Sequence, residues 1–284
     1  MDYFHLPAIS CVYSDKKNLN SFSREEELML MQPEAHFEYE MILVTGGSGT
    51  ATINHKAYPI KEKSLIFISP YEKHYFQVES EIYCRYVVTM SSDLILSNIR
   101  DVELAAIFVQ SSKRFPHVIS LSDPAYNMIL PLFERLEREN RQKDAFYVSR
   151  SASIVVAILI DLYRTHPEVF QGKITQASLA VINAQKYINE HFHERISLEV
   201  LASQNFISSH GLSLAFKECV GISFKEYLIG IRILEAKKML VTTHMSVEEI
   251  AGAVGYMNVN NFVQIFKKKE DITPLQYRKK FSAL

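Results

Sequence analysis

The sequence SLEVLA at residues 197–202 is followed 49 residues later by SVEEIA at residues 246–251. After one inserted residue the spacing becomes 50, and further positions match in the same order. The matching pairs are Ser208 and Asn258, Leu212 and Phe262, Phe216 and Phe266, Lys217 and Lys267, Ser223 and Thr273, and Tyr227 and Tyr277. Ordered matches at a fixed spacing indicate an internal duplication in the last hundred residues.

Each copy has the local signals of two short helices joined by a tight turn. Ser197 and Ser246 are placed to cap the first helix of each copy, and Ser246 with Glu249 forms a capping box. Gly255 supplies the turn in the second copy. Ser208 and Asn258 are placed to cap the second helix of each copy. This pattern predicts two helix-turn-helix motifs, whose second helices bury one side and leave the other for a nucleic-acid groove.

A connector helix is predicted between the two copies. Ser223 and Glu226 form a capping box, and an apolar stripe then continues to about Val241. At about 1.5 Å per residue the connector is roughly 26 Å long. It can hold two reading helices on one face, about one DNA turn of ~34 Å apart.

Four motifs in this region carry a family resemblance. They are YLIGIRILEAKKML at 227–240, SVEEIAGAVGY at 246–256, NFVQIFKKK at 261–269 and ITPLQYR at 272–278. In order and spacing they resemble the double helix-turn-helix domain of AraC/XylS-type transcriptional regulators, over residues 179–281. The resemblance implies a sequence-specific regulator that binds double-stranded DNA, with RNA polymerase as a further partner.

Polar side chains on the second helix of each copy are the candidate DNA contacts. Amides such as Asn260, Asn261 and Gln264 can bond bidentately to adenine, and lysines such as Lys267 can bind phosphates. Arg232 is expected either to lie close to DNA or to brace the two copies. A solvated polar helix face is the alternative interpretation. The predicted DNA-binding set is Ser208, Ser209, His210, Ser213, Lys217, Arg232, Asn258, Asn260, Asn261, Gln264, Lys267 and Lys268.

Three residues depart from the family pattern. Leu214 stands where the family usually has a basic residue, and Gly211 lies in the same helix at a cost of about 1 kcal/mol relative to Ala. Asp271 replaces a common glycine. Leu214 and Gly211 lead us to expect that the first copy reads bases poorly or depends on the second copy, whereas Asp271 leaves the turn geometry at its own position open.

The front half of the chain has strand patterning. Apolar and polar residues alternate at 39–45, 49–53, 64–68 and 81–90, which predicts a small antiparallel barrel or jelly roll. It resembles the cupin-type sensor barrel often joined to this DNA-binding domain, on the marks His36, Glu40, the turn at Gly46 to Gly49, Pro70 and His74.

Two helices are predicted behind the barrel. One begins near Ser122 and Pro124, with Met128, Leu132, Phe133 and Leu136 as its apolar stripe, and the other spans 144–166. Helices apolar on several sides need several partners, so residues 124–166 are expected to form a homodimer. The expected fold is α+β, with a cupin-like sensor and dimerisation domain at 1–170 and an all-α DNA-binding domain at 177–284.

A small-molecule effector is expected inside the barrel, bound by His36, Tyr39, Glu40, His74 and Tyr86, with residues 1–35 closing over it. The alternative to effector binding is that His36 and His74 only make local hydrogen bonds within the barrel. A metal-dependent cupin enzyme needs more converging histidines than these two, so we expect neither a metal nor a cofactor, and no enzymatic activity. A protein partner in place of a small molecule is the remaining alternative.

Composition sets the outer limits. The 284 residues allow two domains, and 48% hydrophobic with 22% charged residues is typical of globular proteins. The net charge of −1 divides into +3 for residues 177–284 and −4 for the residues before them. The positive charge of the C-terminal part weakly favours a polyanionic partner. No apolar run approaches the ~20 residues that a membrane span needs, and no secretory signal precedes Ser21. A cytoplasmic protein is expected.

Overall fold

The computed structural model describes residues 9–16, 38–70, 72–99, 101–109, 116–170 and 175–281. The chain forms two compact units, whose main spans are Pro7–Leu179 and Ala180–Lys217 with Ile222–Leu284. The first unit combines antiparallel strands with helices, and the second is helical. The fold class is therefore α+β, as predicted.

Eight strands in the described part of the first unit form two antiparallel sheets. They are β1 (Ile9–Lys16), β2 (Tyr39–Gly46), β3 (Ser48–Ile53), β4 (Lys56–Lys61), β5 (Ser64–Ile68), β6 (His74–Val78), β7 (Tyr83–Met90) and β8 (Val118–Ser120). The larger sheet has the order β1–β7–β2–β5–β8, and the smaller sheet has the order β4–β3–β6. β1 belongs to the predicted N-terminal arm, most of which lies outside the described residues.

The two sheets share one hydrophobic core. Successive side chains of a strand point to opposite faces, so alternate residues such as Ile42 and Val44 of β2 point inward. They meet Ala51 and Ile53 of the smaller sheet, together with Phe76 of β6. This packing of two antiparallel sheets confirms the predicted jelly roll.

Helices cover the outer face of the larger sheet. They are α1 (Ser92–Asn98), α2 (Val102–Val109), α3 (Asp123–Gln142) and α4 (Tyr147–Thr165). The ring of Tyr39 lies 5.1 Å from that of Phe108 on α2, and the ring of Tyr86 lies 6.0 Å from that of Phe133 on α3. β2 is therefore buried on both faces.

The predicted helix pair is present, with one error in its apolar stripe. On α3 the buried side includes Ile129, Phe133 and Leu136, whereas Met128 is 46% exposed. The prediction had the right period but included Met128, because periodicity alone does not show where the edge of a buried stripe falls. Ser122 occupies the N-cap position, but its side chain makes no capping hydrogen bond.

Two strands of the smaller sheet were missed. β4 contains Pro59 and two lysines, which lower strand propensity, and it is an edge strand, where proline is tolerated. In the turn before it, Asn54 and His55 both adopt positive φ. β6 is only five residues long and begins at His74.

The second unit consists of seven helices in the described residues. They are α5 (Gln176–His191), α6 (Leu198–Gln204), α7 (Ser209–Val220), α8 (Phe224–Thr242), α9 (Val247–Ala253), α10 (Val259–Glu270) and α11 (Pro274–Phe281). The pairs α6–α7 and α9–α10 are the two predicted helix-turn-helix motifs, and α8 is the predicted connector. Pro167–Phe170 form a 3₁₀ turn after α4, and α5 begins at Gln176.

The helix caps explain where these helices begin. The capping boxes predicted at Ser223 with Glu226 and at Ser246 with Glu249 are both present. Hydrogen bonds from these serines lower the pKa of the Glu226 and Glu249 carboxyls. Ser197 differs, because its hydroxyl donates to the Glu199 carboxylate and does not cap the backbone. The first copy is thus capped less well than the second.

Candidate functional site

The second reading helix, α10, is anchored by its cap and by two aromatic residues. The Asn258 side chain accepts a hydrogen bond from the Asn261 backbone N–H at 3.0 Å. Phe262 and Phe266 are fully buried in a core that also holds Tyr277. Their burial fixes which side of α10 faces away from the protein.

That outward side of α10 carries a polar stripe. Asn260, Gln264 and Lys267 are exposed and follow one another at spacings of four and three, so they lie on one face of the helix. Asn261 and Lys268, seven residues apart, are exposed together on one flank of this stripe. The structure thus brings together the base-reading and phosphate-binding candidates of the second copy.

The first reading helix, α7, repeats this arrangement. Leu212 and Phe216 are fully buried, and the Ser208 hydroxyl accepts a hydrogen bond from the Gly211 N–H at 3.0 Å. His210 and Lys217 are exposed at the positions equivalent to Asn260 and Lys267 of α10. Of the other predicted contacts, Ser213 is exposed and lies beside this stripe, and Ser209 is half-buried in the first turn.

Two residues distinguish the outer face of α7 from that of α10. Leu214 occupies the position of Gln264 and is 58% exposed. Glu218 occupies the position of Lys268 and is also exposed. The negative charge of Glu218 disfavours a nearby phosphate, whereas Lys268 favours one. Alignment of the two copies at a spacing of 50 pairs Glu218 with Lys268, so the sequence itself carries this signal.

Arg232 on α8 is a brace. Its Nε donates to the Phe192 carbonyl at 2.8 Å, and its Nη2 donates to the Glu194 carbonyl at 2.7 Å. The guanidinium also lies 5.3 Å from the centre of the Tyr256 ring. These contacts join the segment before the first motif to the turn of the second. Of the two roles expected for Arg232, the geometry supports bracing, because its hydrogen bonds are directed into the protein.

Gly255 completes this junction between the motifs. Its φ is +86°, and a Cβ there would lie 2.6 Å from the His193 carbonyl oxygen and 2.8 Å from Arg232 Nη2. Glycine is therefore required for both backbone conformation and space. The first copy has Phe206 at the equivalent turn position, with φ +56° and 89% exposure. The first turn thus accepts a side chain because it has solvent where the second has a neighbour.

Near the C-terminus, the structure shows the backbone conformation of Asp271 and the hydrogen bonds of Arg278. Asp271 adopts φ +59° at the end of α10, the same left-handed conformation as Gly221 in the first copy. Asp tolerates that region better than most residues, so the turn is kept. Arg278 donates to the carbonyls of Leu240 and Met245, so its guanidinium is held against the protein, whereas Lys279 and Lys280 are exposed.

The barrel unit contains a buried histidine–carboxylate contact that includes two of the predicted ligand-binding residues. His74 Nδ1 donates to the Glu72 carbonyl at 2.9 Å, and its Nε2 lies 3.4 Å from Glu40 Oε2. Glu40 and His74 have the same strand parity as Ile42 and Phe76, so they are on the inner side of the sheets.

The other predicted ligand-binding residues do not join them. Tyr39 and Tyr86 point to the outer face and pack against helices, because each is one residue out of phase with the inward-facing positions. His36 lies outside the described residues. An aromatic side chain in a barrel strand can face either side of the sheet, and the parity of these two tyrosines places them on the outer side.

A second histidine–carboxylate contact was missed. His117 Nδ1 donates to the Phe67 carbonyl at 3.0 Å, and Nε2 lies 3.4 Å from Glu72 Oε1. Burial raises the pKa of the Glu72 carboxyl, and the His117 ring opposes that shift. The two residues are far apart in sequence and belong to no motif, so no local signal could have found them.

Other inward groups on β7 are polar. Tyr83 Oη and Arg85 Nη1 are buried and, apart from a contact between these two side chains, have no hydrogen-bond partner within the described residues. The guanidinium of Arg85 lies 4.8 Å from the centre of the Phe76 ring. Among all residues that the structure describes, no three His, Cys, Asp or Glu side chains converge as a metal site would require. No helix in the same residues has the length and apolarity of a membrane span.

Comparison with known proteins identifies both units. A family model described as AraC-like ligand binding domain matches residues 24–153, and a helix-turn-helix domain model matches residues 201–280. The transcriptional activator RhaR of Cronobacter sakazakii is 23% identical over 286 residues, covering 100% of this chain and 96% of its own. The activator RhaS of Salmonella schwarzengrund is 22% identical over 249 residues, with 87% of each chain covered.

A full-length structural neighbour has the same fold. It is ToxT from Vibrio cholerae, solved with a bound unsaturated fatty acid, with a TM-score of 0.52 and 13% sequence identity. The match covers 97% of this chain and 96% of that one.

Proposed function

Because the chain belongs to the AraC family of DNA-binding transcriptional regulators and has an N-terminal ligand-binding domain, we propose that it is a non-enzymatic activator whose α7 and α10 read an operator. We assign residues 1–170 to sensing and dimerisation and residues 177–284 to DNA binding. The observation that carries this proposal is the repeated outward stripe, in which Asn260 and Lys267 on α10 correspond to His210 and Lys217 on α7.

Base reading and phosphate binding are separated along α10 in this proposal. Gln264→Ala and Asn261→Ala should each cost about 1–3 kcal/mol at the specific site, because each removes an amide that can bond a base edge. Both variants should lower the affinity for random DNA by less than they lower the affinity for the specific site. Competition binding on specific and random duplexes measures the difference.

Lys267→Ala is the matched contrast, since it removes a charge from the same stripe. It should weaken binding to all sequences and reduce the slope of log affinity against log salt concentration by about 0.9, the value for one phosphate contact on duplex DNA. Titrations at several salt concentrations measure this slope. If all three variants behaved alike on specific and random DNA, the division of roles would be wrong.

The effector site in this proposal lies between the two sheets. Glu40 and His74 supply a hydrogen-bonding pair there. The buried polar atoms of Tyr83 and Arg85, which have no partner among the described residues beyond each other, favour an effector with hydrogen-bond acceptors. Binding would regulate DNA affinity by favouring one arrangement of the two units, since a ligand shifts an equilibrium only through differential affinity.

A thermal-shift screen of the full chain against a metabolite library tests the effector site. We expect some polar small molecules to raise Tm, because a ligand present at a hundred times its Kd adds about 2.7 kcal/mol to the free energy of unfolding. His74→Ala should lose that shift, whereas Gln264→Ala should keep it. A screen without hits, together with capture of a specific protein by the N-terminal unit, would favour the protein-partner alternative.

We extend the proposal to a homodimer formed through residues 124–166, acting on RNA polymerase in the cytoplasm. Exposed apolar side chains on this helix pair support self-association, since they gain from burial against a second copy. They are Met128, Phe146 and Tyr163.

A further inference from the structure

Leu214, on the first reading helix, is an exposed apolar residue outside the buried core. Leu214 is 58% exposed, while Leu212, Ala215 and Phe216 on the opposite side of α7 make the core contacts. Its neighbours at spacings of four and three are His210 and Lys217, both exposed. Leu214 therefore occupies the middle of the outward stripe of α7.

The duplication assigns this position to base reading. Gln264 lies at the same place in α10, between Asn260 and Lys267, which correspond to His210 and Lys217. In a helix-turn-helix motif the outward side of the second helix enters the major groove and faces base edges. If α10 reads with Gln264, the equivalent side chain of α7 meets the same surface of the next groove.

A leucine at this position can make only one type of base contact. It has no hydrogen-bonding atoms, so it cannot pair with the donors and acceptors of the base edges. The C5-methyl group of thymine is the apolar group that the major groove presents. Covering that methyl group removes apolar surface of both partners from water, which is favourable.

We propose that Leu214 is a specificity-determining residue that contacts the C5-methyl group of a thymine in the half-site bound by α7. This inference rests on the proposed function. It adds that the two half-sites are read by different chemistry: apolar contact with thymine in the first, and amide hydrogen bonds in the second.

The test begins with binding-site selection from a pool of random duplexes, using the full chain. Wild-type protein should enrich a thymine at one position that Leu214→Ala no longer enriches. Replacing that thymine with deoxyuridine removes the methyl group and leaves the hydrogen-bonding pattern unchanged. Loss of one methyl contact should weaken wild-type binding about fourfold.

The variants then show whether Leu214 senses that methyl group. Leu214→Ala should bind the thymine and deoxyuridine duplexes equally, whereas Gln264→Ala, the matched control, should keep the wild-type ratio between them. Equal wild-type affinity for both duplexes, or an unchanged ratio in Leu214→Ala, would overturn the inference while leaving the proposed function intact. A pool without any enriched sequence would overturn both.

Discussion

Replacing Phe266 with alanine is expected to lower the free energy of unfolding by about 3–5 kcal/mol. The ring is fully buried, with its centre 5.7 Å from that of Phe262 and 5.6 Å from that of Tyr277. Truncation removes this apolar surface and leaves a cavity between α10 and α11. Urea denaturation of the full chain, followed by helical circular dichroism, measures the loss.

Phe206→Ala is the matched control for that experiment. The same ring is removed, but Phe206 is 89% exposed, so stability should change by no more than about 0.5 kcal/mol. Equal losses in the two variants would contradict the assignment of Phe266 to the core. DNA binding should fall in Phe266→Ala in proportion to the unfolded fraction, since α10 loses its anchor.

Gly255→Ala is expected to cost about 2–4 kcal/mol, because strain and overpacking act together. The backbone has φ +86°, and the added Cβ would lie 2.6 Å from the His193 carbonyl oxygen. The Arg232 side chain would also have to move, since its Nη2 is 2.8 Å from the same Cβ position. Thermal and urea unfolding both measure this cost.

Gly252→Ala provides the control, three residues earlier. Gly252 lies within α9, and a Cβ there meets no atom within 4 Å, so alanine should stabilise the chain by about 0.5–1 kcal/mol. Opposite signs for the two substitutions are the expected result. A neutral Gly255→Ala would show that the junction with His193 and Arg232 is not as close as the structure has it.

The junction around Gly255 also bears on DNA recognition. Arg232 joins the carbonyls of Phe192 and Glu194 to the Tyr256 ring, so it links the entry to the first motif with the turn of the second. Two reading helices can bind one duplex only if their relative orientation is fixed or readily reached. Loss of this brace is therefore expected to reduce binding to a full operator more than binding to a half-site.

Local signals were sufficient to predict the helical unit. Capping boxes at Ser223 and Ser246, a glycine turn and apolar residues at helical spacing all act within a few residues of each other. The duplication doubled each signal. The candidate base contacts on α10 could be predicted for the same reason, since the buried pair Phe262 and Phe266 already defines the opposite side of the helix.

The barrel was predictable in type but only partly in detail. Alternation identified β2, β3, β5 and β7. It missed β4, which has Pro59 at the sheet edge and no clear alternation, and β6, which is only five residues long. The predicted ligand-binding residues include side chains from both faces of the larger sheet. Tyr39 and Glu40 are adjacent in sequence, yet the pleat of β2 directs one toward the helices and the other inward.

Periodicity, caps and the internal repeat thus established the fold class, the two helix-turn-helix motifs and the side of each reading helix that faces outward, because these depend on interactions between near neighbours. The roles of Arg232 and Arg278, the contacts of His117 with Glu72 and of His74 with Glu40, and the need for glycine at position 255 emerged only from the folded chain. Each depends on groups tens of residues apart in sequence, and their meeting is a consequence of packing that no local pattern encodes.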